Sequence, residues 1–315
     1  MATAAVLLAL LVTPVKPMSN EERIGLREEV RALFTHVYDG YVAHAFPKDV
    51  LKPLSCMGAE GWGGISLTLL DALDSLALLG NASEFAARVA WVGAHLSFDV
   101  DETVSLFETN IRALGGLLSA HLLASDAELR LAPAYDGALL PLAIDLAERL
   151  LPALDTRSGI PYGSINLRHG VKEDESKVTC TAAAGTLVLE FGALSRLTGD
   201  GKYEAAAKRA ALAVWRHRTS HDLLGAHIHL DRGEWTQADS GVGRGIDSFY
   251  EYMLKAHLLL GDAEYLAIFH DAYGAALRHL KHGSWYVDAH ARTVQVTWPL
   301  FNSLQGFWPG MQVIA

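Results

Sequence analysis

The chain has 315 residues, half of them hydrophobic and a fifth charged, with a formal net charge of −10. That balance excludes a disordered chain, and the length is too great for one small domain but suits a single large α-barrel. No basic block interrupts the sequence, which excludes nucleic acid as a partner, and the acidic excess is a solubility feature.

Residues 1–18 contain the apolar run Ala5 to Val12, then Pro14 and Pro17, with Glu21 and Glu22 close behind. The run is too short to span a bilayer and reads as a signal peptide, cleaved between Val15 and Ser19, although its start carries no Lys or Arg. From Glu22 to Ala45, Ile24, Val30, Leu33, Phe34 and Val37 fall near helical spacing and predict an amphipathic helix. Leu67 to Leu79 is strongly apolar and stops at Gly80-Asn81; Ser83 to Leu96 is a more polar helix. The turn between them carries Asn81-Ala82-Ser83, an N-glycosylation sequon. Ser105 to Ala124 is a second apolar helix, and Leu139 to Leu154 follows, ended by Pro152 and Gly159-Ile160-Pro161. Thr179 to Leu197 is apolar again, and Tyr203 to Arg216 is Ala-rich with charges on one face. Asp247 to Leu260 and Glu264 to Leu280 complete the helices, with Gly stops and Ser or Asp starts serving as caps. Leu224 to Leu230 followed by Asp231-Arg232-Gly233 predicts a β-hairpin, and 283–287 with 293–296 predicts another. The two cysteines, Cys56 and Cys180, pair in an oxidising lumen only if their Cα atoms come within bridging distance; otherwise Cys180 packs as a small buried hydrophobe.

The punctuation repeats. Leu78-Leu79-Gly80-Asn81, Leu197-Thr198-Gly199-Asp200 and Leu259-Leu260-Gly261-Asp262 each separate an apolar helix from an amphipathic one. Such pairs predict two concentric layers, inner helices buried on most sides and outer helices with one face in water. The stops are unevenly spaced, which favours a closed α/α toroid over an open solenoid.

Carboxylates sit inside these apolar helices, where they are costly unless paired or used. Glu108 and Arg112 lie at i and i+4, so the acid has a cation on its own face. Asp247 and Glu251 are like charges at the same spacing, with Lys255 one turn further. Glu190, Asp71 and Asp74 repeat the theme. Several acids on inner helices predict one polar pocket on the toroid axis, and two converging carboxylates are what hydrolysis of a glycosidic bond requires. Zinc is disfavoured because His227 and His229 have no Cys or carboxylate partner at ligand spacing. An EF-hand, a nucleotide loop and a Gly-x-Ser-x-Gly nucleophile are likewise missing from the pattern.

Several stretches carry a resemblance: 45–49 with Cys56, Ser66 to Asp74, Phe107 to His121, Thr179-Cys180-Thr181-Ala182, Asp247 to Tyr252, and Phe307-Trp308-Pro309-Gly310. In them the sequence resembles the class I α-mannosidases of glycoside hydrolase family 47, and within it the ER degradation-enhancing α-mannosidase-like subgroup. The resemblance implies an all-α (α/α)7 barrel with short β-hairpins in the ER lumen. It implies calcium-dependent, inverting removal of α1,2-linked mannose from high-mannose N-glycans, which in this subgroup marks misfolded glycoproteins for disposal. Glu108 matches the general acid and Asp247 a second catalytic acid. Arg112 matches a mannose-binding residue, and Glu190, Glu251 and Asp74 match further pocket acids. High-mannose N-glycans are the implied partners, with an ER oxidoreductase as a further one.

Departures accompany the match. The family's general base and its calcium-holding Thr lie in motifs beyond Ala315, so residues 22–315 read as the N-terminal part of the barrel, with about nine or ten helices and no metal ligand of its own. Ser303 stands where processing mannosidases carry a His. On that reading this chain by itself is inactive, and two functions from different classes remain: an α1,2-mannosidase in its complete form, or a mannose-binding, lectin-like factor that recognises glycans without turnover.

Overall fold

The computed structural model describes residues 17–315; the signal peptide read over 1–18 thus falls almost wholly outside the described residues. Helix α1 (Asn20–His44) starts in a reciprocal cap. The Ser19 hydroxyl accepts from the Glu22 amide while the Glu22 carboxylate accepts from the Ser19 amide. Its apolar stripe departs from expectation. Ile24, Val30, Leu33 and Val37 are exposed, and only Tyr38 and Tyr41 are buried. The C-terminal half meets the body of the protein, through Tyr38 Oη to Glu84 at 2.9 Å and Tyr41 Oη to the Lys48 carbonyl at 2.7 Å.

The hairpin β1 (Val50–Lys52) and β2 (Met57–Ala59) leads to α2 (Leu67–Leu78) and α3 (Ala82–His95). The entirely buried Asp49 organises the intervening loop, accepting hydrogen bonds from the amides of Gly61, Trp62, Gly64 and Leu67. Strand β3 (Thr103–Ser105) runs directly into α4 (Leu106–Glu108), which continues without a break through a π-helical turn (Thr109–Leu114) into α5 (Gly115–Ser125). Helix α6 (Leu139–Leu150) ends in a 3-10 turn (Leu151–Leu154), and β4 (Ser164–Asn166) returns to pair with β3. Then come β5 (Val178–Cys180), α7 (Thr181–Gly185), α8 (Val188–Thr198) and α9 (Lys202–Arg216). The single helix expected over 179–197 is therefore a strand and two helices. The break falls at Thr186, whose hydroxyl turns back onto the Ala182 carbonyl and whose backbone leaves the helical region.

Strands β6 (His227–His229) and β7 (Trp235–Gln237) form the expected hairpin and extend β5. Strand β8 (Asp239–Ser240) precedes the α10 (Asp247–Leu260) and α11 (Ala263–His279) pair. The second expected hairpin splits in two: β9 (Lys281–His282) pairs with β10 (Trp285–Tyr286), while β11 (Asp288–His290) pairs with both β12 (Val296–Trp298) and β8. Helix α12 (Trp308–Ile314), which periodicity did not reveal, closes the described chain.

Packing sorts the helices into two layers. α2, α5, α8 and α10 contact one another in sequence, and α3, α6, α9 and α11 each back onto the inner helix before them. Helix α2 buries a face that includes Leu69, Leu70, Leu73 and Leu76, and α9 buries one that includes Tyr203, Ala207, Ala211 and Val214. Gly199 and Gly261 end α8 and α10 with φ of 74° and 77°, the left-handed cap that lets each chain reverse into its outer partner.

Inner helices approach closely where glycine permits. A Cβ on Gly116 would stand 2.7 Å from the Leu70 carbonyl oxygen of α2, a backbone atom that cannot rotate away. Gly116→Ala is expected to cost roughly 1–3 kcal/mol by overpacking, more than the about 0.5–1 kcal/mol that Ala adds in helix propensity. A thermal melt should show a lowered midpoint; an unchanged or raised midpoint would mean that this contact yields freely.

Candidate active site

The first acid is placed by the β3 to α4 junction. Pairing with β4 fixes Ser105, and the Ser105 hydroxyl accepts from the Glu108 amide at 3.3 Å, starting the helix there. Arg112 follows one turn on. Its Nε donates to Glu108 Oε2 at 2.7 Å and its Nη1 to Asp71 Oδ2 of α2 at 3.1 Å. All three side chains remain open to solvent, so the ion pairs contribute only about 0–1 kcal/mol each to stability. Their consequence is positional: one planar guanidinium fixes two carboxylates on neighbouring inner helices. Burial pushes the Asp71 carboxyl up, with Arg112 opposing and Asp74 and Glu108 adding like-charge repulsion.

The π turn sets the next residue. Asn110 is completely buried, and its Nδ2 donates to Glu190 Oε2 at 2.8 Å. Tyr252 of α10 donates its hydroxyl to Glu190 Oε1 at 2.7 Å. Glu190, in the first turn of α8, thus joins three inner helices through one carboxylate. It keeps some accessible surface, yet protein surrounds it on nearly every side, and that burial pushes its pKa up despite both donors. The same enclosure, with the Glu190 charge beside it, drives the Tyr252 phenol far above its usual range.

Asp247 is the first residue of α10. The Ser248 amide and hydroxyl donate to its Oδ1 at 2.6 and 3.1 Å. Burial still raises its carboxyl above the ordinary value, and Glu251 adds to the rise. One turn on, Glu251 accepts from Lys255 Nζ at 2.6 Å. Both line a cavity of about 320 Å³ between α10 and α12, shared with Phe307 and Met311. A cavity of about 350 Å³ lies elsewhere, between α3 and residues 132–138, and contains none of the candidate residues.

The structure therefore links Glu108 and Arg112 directly, with Asp71 as their third member. It links Glu190 to the same segment through Asn110, and Glu251 to Lys255. Asp74 is peripheral, touched by Ser119 and Ser75 only at 3.4 Å. Asn110 and Tyr252 are missing from the candidates chosen by sequence, and Asp71, counted there among the pocket acids, had no partner assigned. A buried Asn and Tyr within apolar helices, each needing a partner, were the signal that could have found them. Asn81 is exposed and caps α3 through Oδ1, which leaves its Nδ2 free of the cap. Pairing of Cys56 with Cys180 is corrected: both thiols are free, Cys56 exposed in the turn after β1 and Cys180 half-buried at the end of β5. Cys180 instead caps α7, its sulfur accepting from the Ala183 amide at 3.3 Å. Among the described residues no cluster of three or more His, Cys, Asp or Glu is arranged to hold a metal ion.

Helical hairpins in two layers, with carboxylates drawn from successive inner helices, define an (α/α) barrel of the kind that glycosidases use. The family profile of glycosyl hydrolase family 47 matches residues 33–315, and the chain belongs to that family. Alpha-mannosidase I MNS4 of Arabidopsis thaliana is 54% identical over 97% of this chain and 49% of its own length. Human ER degradation-enhancing alpha-mannosidase-like protein 2 is 44% identical over 91% of this chain and 50% of its own length. The chain thus spans about half the length of these curated relatives. Among solved structures, an alpha-1,2-mannosidase from Trichoderma reesei superposes with a TM-score of 0.82 at 27% identity, over 92% of this chain and 63% of that one. Its fold, the (α/α)7 barrel, is the one expected from sequence.

The raised Glu190 pKa has a sign that can be measured. Above its ordinary value of 4.5 the folded state still holds a proton that the unfolded state has released. Stability is therefore lost as pH rises from there through the folded pKa. Glu190→Gln removes that loss, while the other acids with raised pKa values are common to both proteins. Urea midpoints at about pH 5 and about pH 7 should show the variant gaining relative to wild type at the higher pH. Parallel behaviour would mean that Glu190 is not enclosed.

Proposed function

We propose that this chain carries the acid-bearing part of an α-1,2-mannosidase site that trims terminal mannose from N-glycans of misfolded glycoproteins in the ER lumen. The observation that carries the reading is the Glu108–Arg112–Asp71 array on the inner helices of a family 47 barrel. In this reading Glu108 donates a proton to the departing glycosidic oxygen and Arg112 holds hydroxyls of the terminal mannose. Asp247 orders water and protons opposite, and Glu190, Glu251 and Asp74 shape the polar wall.

The chemistry follows from how Glu108 is held. Arg112 Nε holds one of its oxygens, which leaves the other for the departing glycosidic oxygen, the atom to which a general acid delivers its proton. Asp71 holds Arg112 from the neighbouring helix. Asp247 already favours its protonated form more than an open carboxylate does, which gives the site two acids in unlike surroundings. Inversion also needs a carboxylate to activate water. The second reading, a lectin-like glycan receptor in ER-associated degradation, is favoured by the same 2.7 Å contact, since a carboxyl group and a guanidinium fixed side by side offer an acceptor and donors to sugar hydroxyls.

Glu108→Gln, made in a protein spanning the whole family domain, separates the readings. It is isosteric and removes only the transferable proton. Mannose release from a high-mannose glycan, followed by mass spectrometry, should fall by about 10²–10⁴-fold with an unchanged circular dichroism spectrum. Equal release by both proteins would remove Glu108 as the acid; glycan binding without release by the wild type would establish the receptor.

A further inference from the structure

The π turn (Thr109–Leu114) is locally unfavourable. Thr109 and Asn110 are completely buried, yet Thr109 Oγ1 and Asn110 Oδ1 have no hydrogen-bond partner. An orphaned buried polar atom destabilises the fold, and such an arrangement persists only where its surroundings over-determine it. Glu190 supplies that determination. Asn110 Nδ2 donates to its Oε2 at 2.8 Å, and Tyr252 Oη donates to its Oε1 at 2.7 Å. Glu190 is the fixed member of this set. Its neighbours on α8, Val188, Phe191 and Leu194, are entirely buried. Gly192 seats the same helix against Leu260 of α10, where a Cβ would stand 2.8 Å from the leucine side chain. The turn is the adjustable member, because it departs from the regular bonding of the helices on either side. Asn110 stands midway between Glu108 and Arg112 in the chain, so whatever places Asn110 places both.

We propose that Asn110 is a positioning residue for the acid-lined site, acting on Glu108 and Arg112 through its bond to Glu190, with Tyr252 as the second support. Its catalytic consequence rests on the proposed function; the positioning itself does not. Asn110 is enclosed and reaches no ligand. Its amide draws the turn against α8. That sets the direction from which Arg112 reaches Glu108 at 2.7 Å and Asp71 of α2 at 3.1 Å. Replace the amide by a carboxyl group, and two acceptors face each other across the same gap. The turn then has to move away from α8 and takes the acid and the guanidinium with it. A displacement of about 1 Å at a reacting group costs on the order of 10²-fold in rate. The bond has a second solution, with its polarity reversed. A carboxylate at position 110 and an amide at position 190 again set a donor against an acceptor, and the amide oxygen still accepts from Tyr252.

The test compares Asn110→Asp with the double substitution Asn110→Asp and Glu190→Gln. Two readings are taken well below every melting temperature. One is the Arg112 Nε–H resonance in the isotope-labelled 315-residue chain. The other is mannose release from a high-mannose glycan by a protein spanning the whole family domain. Asn110→Asp should displace or broaden the resonance and slow release about 10–100-fold. Adding Glu190→Gln should restore the resonance and recover most of the lost rate, which a general loss of stability would not do. Tyr252→Phe removes the other donor without adding charge; it should displace the Arg112 resonance whether or not Asn110→Asp folds. A resonance unmoved by Tyr252→Phe and by Asn110→Asp overturns the proposal. So does a folded double variant as slow as Asn110→Asp, because Glu190 then acts on the sugar or on a proton and not on the turn. If the proposed function fails instead, the wild type releases no mannose, while the Arg112 resonance still moves with Asn110→Asp and returns with the double substitution.

Discussion

One carboxylate fixes the frame of the candidate site. Glu190 stands in the apolar wall of an inner helix, where an ionisable group is tolerated only with partners. Its two oxygens take one donor each, Asn110 from the preceding inner helix and Tyr252 from the following one. Three successive helices are thereby registered against one another at a single depth. The π turn is part of this arrangement: it carries Asn110 and Arg112 within one irregular segment, so the residue that holds Glu190 and the residue that holds Glu108 are set together. Single π turns recur at functional sites for this reason.

The register needs the helices to be close, and glycine supplies the room. Gly116 lies against the backbone of Leu70, Gly185 against the ring of Phe249 and Gly192 against the side chain of Leu260. Each pairs one inner helix with a neighbour. Dense packing of this kind transmits position faithfully, which lets the long Arg112 side chain span from α4's continuation to Asp71 of α2 with hydrogen-bonding geometry at both ends.

The acids divide by environment. Glu108 is open and ion-paired, whereas Glu190 and Asp247 are enclosed, and that burial pushes their pKa values up. The site therefore offers acids in unlike surroundings, one held open by a guanidinium and two enclosed by protein.

The sequence by itself determined the alternation of apolar and amphipathic helices, because periodicity and Gly caps are local and leave a direct record in residue order. Leu197 to Asp200 and Leu259 to Asp262 mark reversals that the fold carries out at Gly199 and Gly261. The Glu108–Arg112 pair was also legible, being one helical turn apart. Tertiary structure alone decided the rest. The exposure of the α1 stripe, the break at Thr186 and the helix over Trp308–Ile314 depend on which neighbours are present. Asp71 reaches Arg112 across 41 positions and Tyr252 reaches Glu190 across 62; no local pattern encodes such pairings. Cys56 and Cys180 fall on separate elements for the same reason: a spacing in sequence is not a distance in space.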